Sequence, residues 1–270
     1  MIKKLIHLGD THIRTFKFHD EYKEVLTNLI NQVKELVKDF SREEIRIVHC
    51  GDIFHSKNNI TNEQILFGAW FLEELEKIAP VIIIAGNHDL TESNLQRIDS
   101  ITPLVTLLKH LDIKYLKESK CYLDNNIVWC CYSIFEQNQR PDIETYKLEF
   151  GLDKTYVGLF HGALVGSVTD IGYKFEHGGD LEIFEGCNMV CLADIHKLQS
   201  FNHNFVKISY SSSFPQQNYG ESIQNHGFLL WDVEKKDFEF HEVENPYKYY
   251  QFKIKSIEDL ENDKEVLINK

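Results

Sequence analysis

A chain of 270 residues, 43% hydrophobic and 26% charged, holds enough apolar material for one large domain with a full core, which excludes a disordered or fibrous protein. No apolar run approaches the roughly 20 residues that a membrane span requires, and Met1-Ile2-Lys3-Lys4 leads into a short strand rather than a signal peptide, so no membrane association is expected. A formal net charge of −13 counts against a nucleic-acid partner, although bound divalent metals or a partner subunit can supply the missing positive charge.

In chain order, a strand at about 2–8 delivers Asp10 and His12. Residues 20–40 carry Val25, Leu26, Leu29, Ile30, Val33, Leu36, Val37 and Phe40 at helical spacing, the pattern of an amphipathic helix covering a sheet. A strand at 45–49 delivers Asp52, with His55 just beyond. Thr61-Asn62-Glu63-Gln64 fits a capping box and opens a helix to about residue 78. Residues 81–85 are apolar and mostly β-branched, as in a strand buried on both faces. Gly86 then permits a sharp exit into Asn87-His88-Asp89.

Thr102-Pro103 predicts an N-cap followed by proline in the first turn, with a short helix to about His110. Short strands fill 113–134 around a turn at Asn125-Asn126, and 142–150 reads as a helix. A strand at 155–160 ends at His161, and the Gly-rich stretch 162–179 is a long loop placed to touch substrate. A strand at 188–192 delivers Asp194 and His196. Strands near 204–210, 227–233 and 237–243 follow, the last two joined by a turn at Glu234-Lys235-Lys236-Asp237. The pattern weakens after Pro246. The expected organisation is a catalytic domain over 1–245 and, over 246–270, the incomplete start of a C-terminal capping or linker segment, read as a strand and a short charged helix.

Five predicted strands therefore end in Asp, Asn or His. In α/β architectures ligands gather at the carboxyl ends of strands, so these ends predict one shared polynuclear metal site. Two divalent ions roughly 3.5–4 Å apart clamp the attacking and leaving oxygens of a phosphoryl displacement. Asp52 is placed to bridge them. Asp10, His12, Asn87, His161, Asp194 and His196 supply mixed oxygen and nitrogen ligands, which suit manganese, with magnesium as the alternative, better than calcium. His88 is the candidate proton donor to the leaving oxygen, and Asp89 joins the catalytic set beside it, since Asp89 or another acceptor fixes its ring. Any one of these motifs alone is commonly a surface turn; the weight comes from all of them in order. The six cysteines (Cys50, Cys121, Cys130, Cys131, Cys187 and Cys191) have no zinc-pair spacing and read as buried reduced thiols, which points to the cytoplasm.

Asp10-Thr11-His12, Gly51-Asp52, Gly86-Asn87-His88-Asp89, His161 and Asp194-Ile195-His196 resemble the five signature blocks of the calcineurin-like metallophosphoesterases over about residues 1–240. That resemblance implies an α/β, four-layer metallophosphoesterase fold, two packed mixed β-sheets flanked by helices. Gly51-Asp52-Ile53-Phe54-His55, Ile195-His196-Lys197-Leu198-Gln199, Tyr210-Ser211-Ser212-Ser213 with 214–221, and His226-Gly227-Phe228-Leu229-Leu230-Trp231-Asp232 are similar to the SbcD/Mre-type DNA repair nucleases, especially their phage recombination-endonuclease branch.

The resemblance implies Asp10, His12, Asp52 and His196 on one metal and Asp52, Asn87, His161 and Asp194 on the other. It makes His88 the catalytic histidine and His55 a second histidine that positions the phosphate. It further implies a manganese-dependent DNA exo/endonuclease acting on double- and single-stranded DNA, an SbcC/Rad-like ABC ATPase partner, and a host cytoplasm if the chain is phage-encoded. It also implies a homodimer through the helix at 61–78, with Phe67 or Phe71 and Leu104 or Leu107 at the contact. Where most of the wider family has His, this chain has Asp194, which makes the metal cluster one unit less positive. The competing expectations are a phosphodiesterase or phosphatase for small molecules or proteins on the same dinuclear site, and a non-catalytic scaffold. His7 and His49 read as core or supporting groups, and His110, His203 and His241 as surface. Arg14, Lys17, Lys57, Lys174 and Lys197 flank the motifs, as DNA-backbone contacts or as a solvated face.

Overall fold

The computed structural model describes residues 1–57 and 59–251. The apolar runs at the front of the chain become parallel neighbours: β1 (Lys4–Leu8), β2 (Ile45–His49), β3 (Val81–Ile83) and β4 (Ile113–Tyr115). Antiparallel β11 (Gly227–Asp232) and β12 (Asp237–Glu242) extend this sheet beyond β1, giving the order β12-β11-β1-β2-β3-β4. The second sheet has the order β5-β6-β7-β8-β10-β9. Its strands are β5 (Cys121–Asp124), β6 (Ile127–Tyr132), β7 (Thr155–His161), β8 (Met189–Ala193), β9 (Gln199–His203) and β10 (Val206–Tyr210). Strands β6, β7, β8 and β10 are parallel, so their carboxyl ends lie along one edge.

Alternation along each strand sorts the side chains into layers. Ile6 and Leu8 of β1 pack with Ile47, Val81 and the helices α1 (His19–Leu36), α2 (Asn62–Glu76) and α3 (Ile101–Leu107). Leu5 of β1 faces the other way, into the layer between the sheets with Val48, Ile82, Trp129, Val157, Met189 and Trp231. The outer face of the second sheet (Val128, Tyr156, Val190, Ile208) is covered by Phe184 and by Ile143 of α4 (Ile143–Phe150). The result is the expected fold: two packed, mixed six-stranded sheets flanked by helices.

His7 also points between the sheets. Its Nε2 lies 3.1 Å from the Leu192 carbonyl oxygen of β8 and its Nδ1 accepts from Trp231 Nε1 at 3.4 Å, which assigns the Nε2–H tautomer and ties one sheet to the other. Burial holds this imidazole down to about 3, and burial does the same to His49, whose Nε2 meets Thr11 Oγ1 at 2.7 Å. Both are core groups.

The capping box of α2 forms as its sequence requires. Thr61 Oγ1 accepts from the Gln64 N–H, and Gln64 Oε1 accepts from the Thr61 N–H. The buried Gln64 amide also donates to the Ile13 carbonyl, locking α2 against the exit of β1. The cap of α3 differs from expectation. Asp99, not Thr102, accepts from the N–H groups of Ile101 and Thr102, because Asp99 lies just before the helix whereas Thr102 is already inside its first turn. β9 is an additional strand. Its half-exposed polar residues lie at a sheet edge, where pairing with β10 rather than apolar burial holds them. His241 is half-buried and stacked on Phe228, and His203 is also half-buried, whereas His110 is exposed.

The surface expected for a homodimer is partly core. Phe71 of α2 and Leu104 of α3 are fully buried, since the broad apolar girth of α2 is divided between the sheet and the neighbouring helices. Phe71, Leu72 and Leu75 enter the sheet layer, while Phe67 stacks on His19 and Trp70 packs under Lys23 of α1. Leu66 and Leu107 remain exposed. Residues 246–251 form no regular element, though the Tyr249 N–H donates to Gln216 Oε1; the strand and charged helix expected toward residue 270 fall largely outside the described residues. Phe71→Ala should lower the unfolding free energy by about 3–5 kcal/mol, and Leu66→Ala by less than about 0.5 kcal/mol. Equal, small effects in denaturant melts would contradict this division of α2.

Candidate metal centre

The site forms where five strand exits meet, and the backbone is bent to make it. Asp10, His12, Asp52 and Asp194 all have positive φ (51°, 48°, 59° and 97°), a region that costs ordinary residues energy. These kinks turn consecutive side chains inward instead of alternately up and down. Gly51 (φ 96°) and Gly86 allow the β2 and β3 exits to touch. A Cβ on Gly51 would lie 2.4 Å from the Gly86 nitrogen, and one on Gly86 would lie 2.2 Å from Asp52 Oδ1 and 2.5 Å from the His161 ring.

Asp89 fastens these exits together. Its carboxylate is fully buried and accepts from the N–H groups of Asp52, Ile53 and Gly86 and from Ser100 Oγ, at 2.7–3.2 Å. This corrects the catalytic placement of Asp89: its oxygens are spent on the backbone of the site. The acceptor that fixes the His88 ring is the His55 carbonyl, 2.6 Å from His88 Nδ1. The His88 N–H in turn donates to Asp52 Oδ1 at 2.8 Å. The His55 and His88 rings are 5.8 Å apart, and each stands edge-on to His12.

The remaining predicted residues converge. His161 Nδ1 donates to the Cys50 carbonyl at 2.7 Å, which leaves Nε2 as a bare lone pair. Among the described residues that buried nitrogen has no hydrogen-bond partner, and it faces Asp52 Oδ1 at 3.5 Å and Asp194 Oδ1 at 3.8 Å. Asn87 Oδ1 is likewise buried without a partner, while its amide nitrogen reaches Asp194 Oδ1 at 3.3 Å. On the other side, His12 Nε2 lies 3.1 Å from His196 Nε2 and 3.5 Å from Asp52 Oδ2. Asp10 accepts from the Asp194 N–H and shares close groupings both with His12 and His196 and with Asp52 and His161. His12, His55 and His88 form a third close grouping.

Glu221 is the participant that residue-by-residue reading missed. Its Oε1 accepts from His196 Nδ1 at 2.8 Å, so His196 also turns a bare Nε2 to the centre. Ser213 Oγ, the Gln217 N–H and Asn218 Nδ2 hold the carboxylate in place. The signal was present in the 210–221 block, whose purpose strand periodicity does not reveal.

The electrostatics demand a cation. Burial pushes Asp10 up to about 7 despite nearby His196 and His161, and burial with the Asp52 charge does the same to Asp89. Burial opposes charge on His161 and His196, yet Asp52, Asp194 and Asp10 around the first and Glu221 beside the second lift both to about 9. Burial, with His196, His88 and His55 nearby, drives His12 well down. Without metal the two raised imidazoles would take up protons in its place, and the crowded buried carboxylates that lift them are costly. Divalent cations would turn each of these contacts attractive, so the donor set fits metal. Asp52 presents one oxygen toward each half of the cluster.

Residues 3–268 match the calcineurin-like phosphoesterase family, and the chain belongs to that family. Uncharacterized protein R555 of Acanthamoeba polyphaga mimivirus is 38% identical over 259 residues, which cover 94% of this chain and 19% of that protein. The chain thus spans about a fifth of the length of that relative. Among solved structures, an archaeal phosphodiesterase is similar at 12% identity, covering 88% of this chain and 99% of that one, with a TM-score of 0.39. The phosphopantetheinyl hydrolase of Mycobacterium tuberculosis is similar at 11% identity, covering 78% and 90%, with a TM-score of 0.45. The family match and the cluster together give a calcineurin-like phosphoesterase domain with a candidate dinuclear metal centre.

Removing the Glu221 carboxylate should release the His196 ring. Glu221→Ala is expected to weaken binding of one divalent ion about 10–100-fold and leave the other unchanged in a calorimetric manganese titration. Two wild-type binding steps would show that Glu221 does not orient a ligand.

Proposed function

We propose that this chain is a manganese-dependent DNA exo/endonuclease, the nuclease subunit of an SbcCD/Mre-Rad-like repair or recombination complex. The observation that carries the reading is a pair of hollows flanking the metal cluster along the edge of the second sheet. One, about 460 Å³, lies over the ends of β6 and β7, and the other, about 510 Å³, lies beyond the exit of β8. They share Asn87 and Asp194, two of the proposed ligands. A phosphate between them has room for a large substituent on both sides, which favours a diester over a monoester. The loop at 162–179 contributes to both walls. The sequence blocks at 195–199, 210–221 and 226–232 supply the nuclease resemblance.

Asp10, His12, Asp52 and His196 would hold one metal, and Asp52, Asn87, His161 and Asp194 the other. Two divalent ions bound by these residues would supply Lewis-acid polarisation of the phosphoryl oxygens and an activated water. The oxygens of Asp10, Asp52, Asn87 and Asp194 make the donor set hard, which suits manganese or magnesium. Asp194, in place of a neutral histidine, weakens the pull of the cluster on phosphate. His88 donates Nδ1–H to the His55 carbonyl, leaving Nε2 to hold a proton and deliver it to the leaving oxygen. His55 stands beside it to position the phosphate.

The same reading includes an SbcC/Rad-like ABC ATPase partner and a homodimer that uses what remains of the expected surface, Phe67 and the exposed Leu107. A cytoplasmic setting is supported by six buried, free cysteines. Among the described residues no helix is long and apolar enough to cross a membrane. The net charge of −13 favours the rival reading, a phosphodiesterase for small molecules on the same site.

Assays with Mn²⁺ or Mg²⁺ on single- and double-stranded DNA, beside bis(p-nitrophenyl) phosphate and p-nitrophenyl phosphate, separate the two. The nuclease reading expects Mn²⁺-stimulated DNA cleavage and faster diester than monoester hydrolysis. Diester hydrolysis with intact DNA would support the small-molecule enzyme. His88→Asn should retain both metals by mass spectrometry while losing on the order of 10²–10⁴ in rate; loss of metal would make His88 a ligand instead.

A further inference from the structure

Each hollow pairs one cation with an apolar face. Arg140 and Phe160 line the hollow over β6 and β7, and Lys197 and Phe175 line the one beyond β8. The acidic groups in these walls already have partners. Glu92 is bound by Lys57 at 2.6 Å, Asp170 accepts from the Ser222 N–H at 3.2 Å, and Glu221 is occupied by His196 and its supporting donors. Among the described residues neither Arg140 nor Lys197 has an ion-pair partner. Several cations elsewhere are captured by carboxylates, as Lys117 is by Asp99 and Arg46 by Asp124. Two cations without ion pairs thus line the hollows on either side of Asn87 and Asp194.

We infer that Arg140 and Lys197 bind the phosphates on either side of the scissile one in a single polynucleotide strand. This rests on the nuclease reading and adds the path of the strand. It enters over one hollow, crosses Asn87 and Asp194, and leaves over the other. Each hollow falls within the range of small-ligand sites and takes one nucleotide unit, its phosphate on the cation and its base or sugar against Phe160 or Phe175. A paired duplex keeps its bases stacked inside and cannot offer them to these rings. Against an acidic surface that repels nucleic acid, the two cations also confine the strand to this line.

The test compares R140Q, K197Q and the double variant with K235Q, an equal loss of charge at the exposed β11–β12 turn. Hydrolysis of a single-stranded oligonucleotide and of a dinucleoside monophosphate, which lacks flanking phosphates, is measured with Mn²⁺ across a range of salt. For R140Q and K197Q the ratio of oligonucleotide to dinucleotide kcat/KM should fall several-fold. The slope of log kcat/KM against log salt for the oligonucleotide should become shallower by about 0.7 each, with the double variant additive and K235Q like wild type. If R140Q and K197Q behave like K235Q while wild type cleaves the oligonucleotide, the strand path is wrong and the nuclease reading stands. If wild type hydrolyses bis(p-nitrophenyl) phosphate but no oligonucleotide, the nuclease reading fails and takes this inference with it.

Discussion

Lone pairs that face one another inside the protein govern how the rest of this chain is built. Asp52, Asp194 and His161 converge on one another, with Asn87 beside Asp194, and His12, His196 and Asp10 converge next to them. Without metal, or protons in its place, such a cluster repels itself. The fold imposes the arrangement through features that supply no ligand. These are left-handed backbone at four of the proposed ligands, the Gly51–Gly86 contact, and the Asp89 carboxylate that gathers N–H groups from two strand exits. The Cys50 carbonyl and Glu221 then decide which imidazole nitrogen is left bare on His161 and His196. Strain and burial are thereby converted into affinity for metal.

Much of this was legible in the sequence because the strands feeding the site are buried on both faces. Such strands read as continuous apolar runs, and a polar residue just after one is conspicuous. Asp10, His12, Asp52, Asn87, His161, Asp194 and His196 could be picked out for that reason, and the structure brings them together. Asp89 could not be separated from His88 by adjacency. One side chain faces the cluster and the next is turned beneath it, a difference that depends on the kinked backbone. Glu221 lies in a segment without regular structure, where no periodicity reports direction. Phe71 and Leu104 were open to misreading because α2 packs against both a sheet and a helix, so its apolar surplus resembles an exposed patch.

Charge links the site to its surroundings. A chain of net charge −13 is a poor general surface for a polyanion, and the carboxylate at 194 makes the metal cluster itself less positive. Attraction for phosphate then has to be local. In the proposed nuclease the metals would provide it at the centre, and Arg140 and Lys197, without an ion pair among the described residues, would extend it on both sides. An enzyme arranged this way should discriminate by position along a strand rather than by bulk electrostatic capture.

The central claim is that one carboxylate, Asp52, joins two metals in a single buried centre, since its oxygens face His12 on one side and His161 on the other. Metal content after dialysis against Mn²⁺, measured by mass spectrometry on wild type and Asp52→Asn, tests it most directly. The account predicts two ions per wild-type chain and the loss of both in the variant. A variant that keeps one ion at wild-type affinity would show that Asp52 serves a single site and would contradict the shared centre.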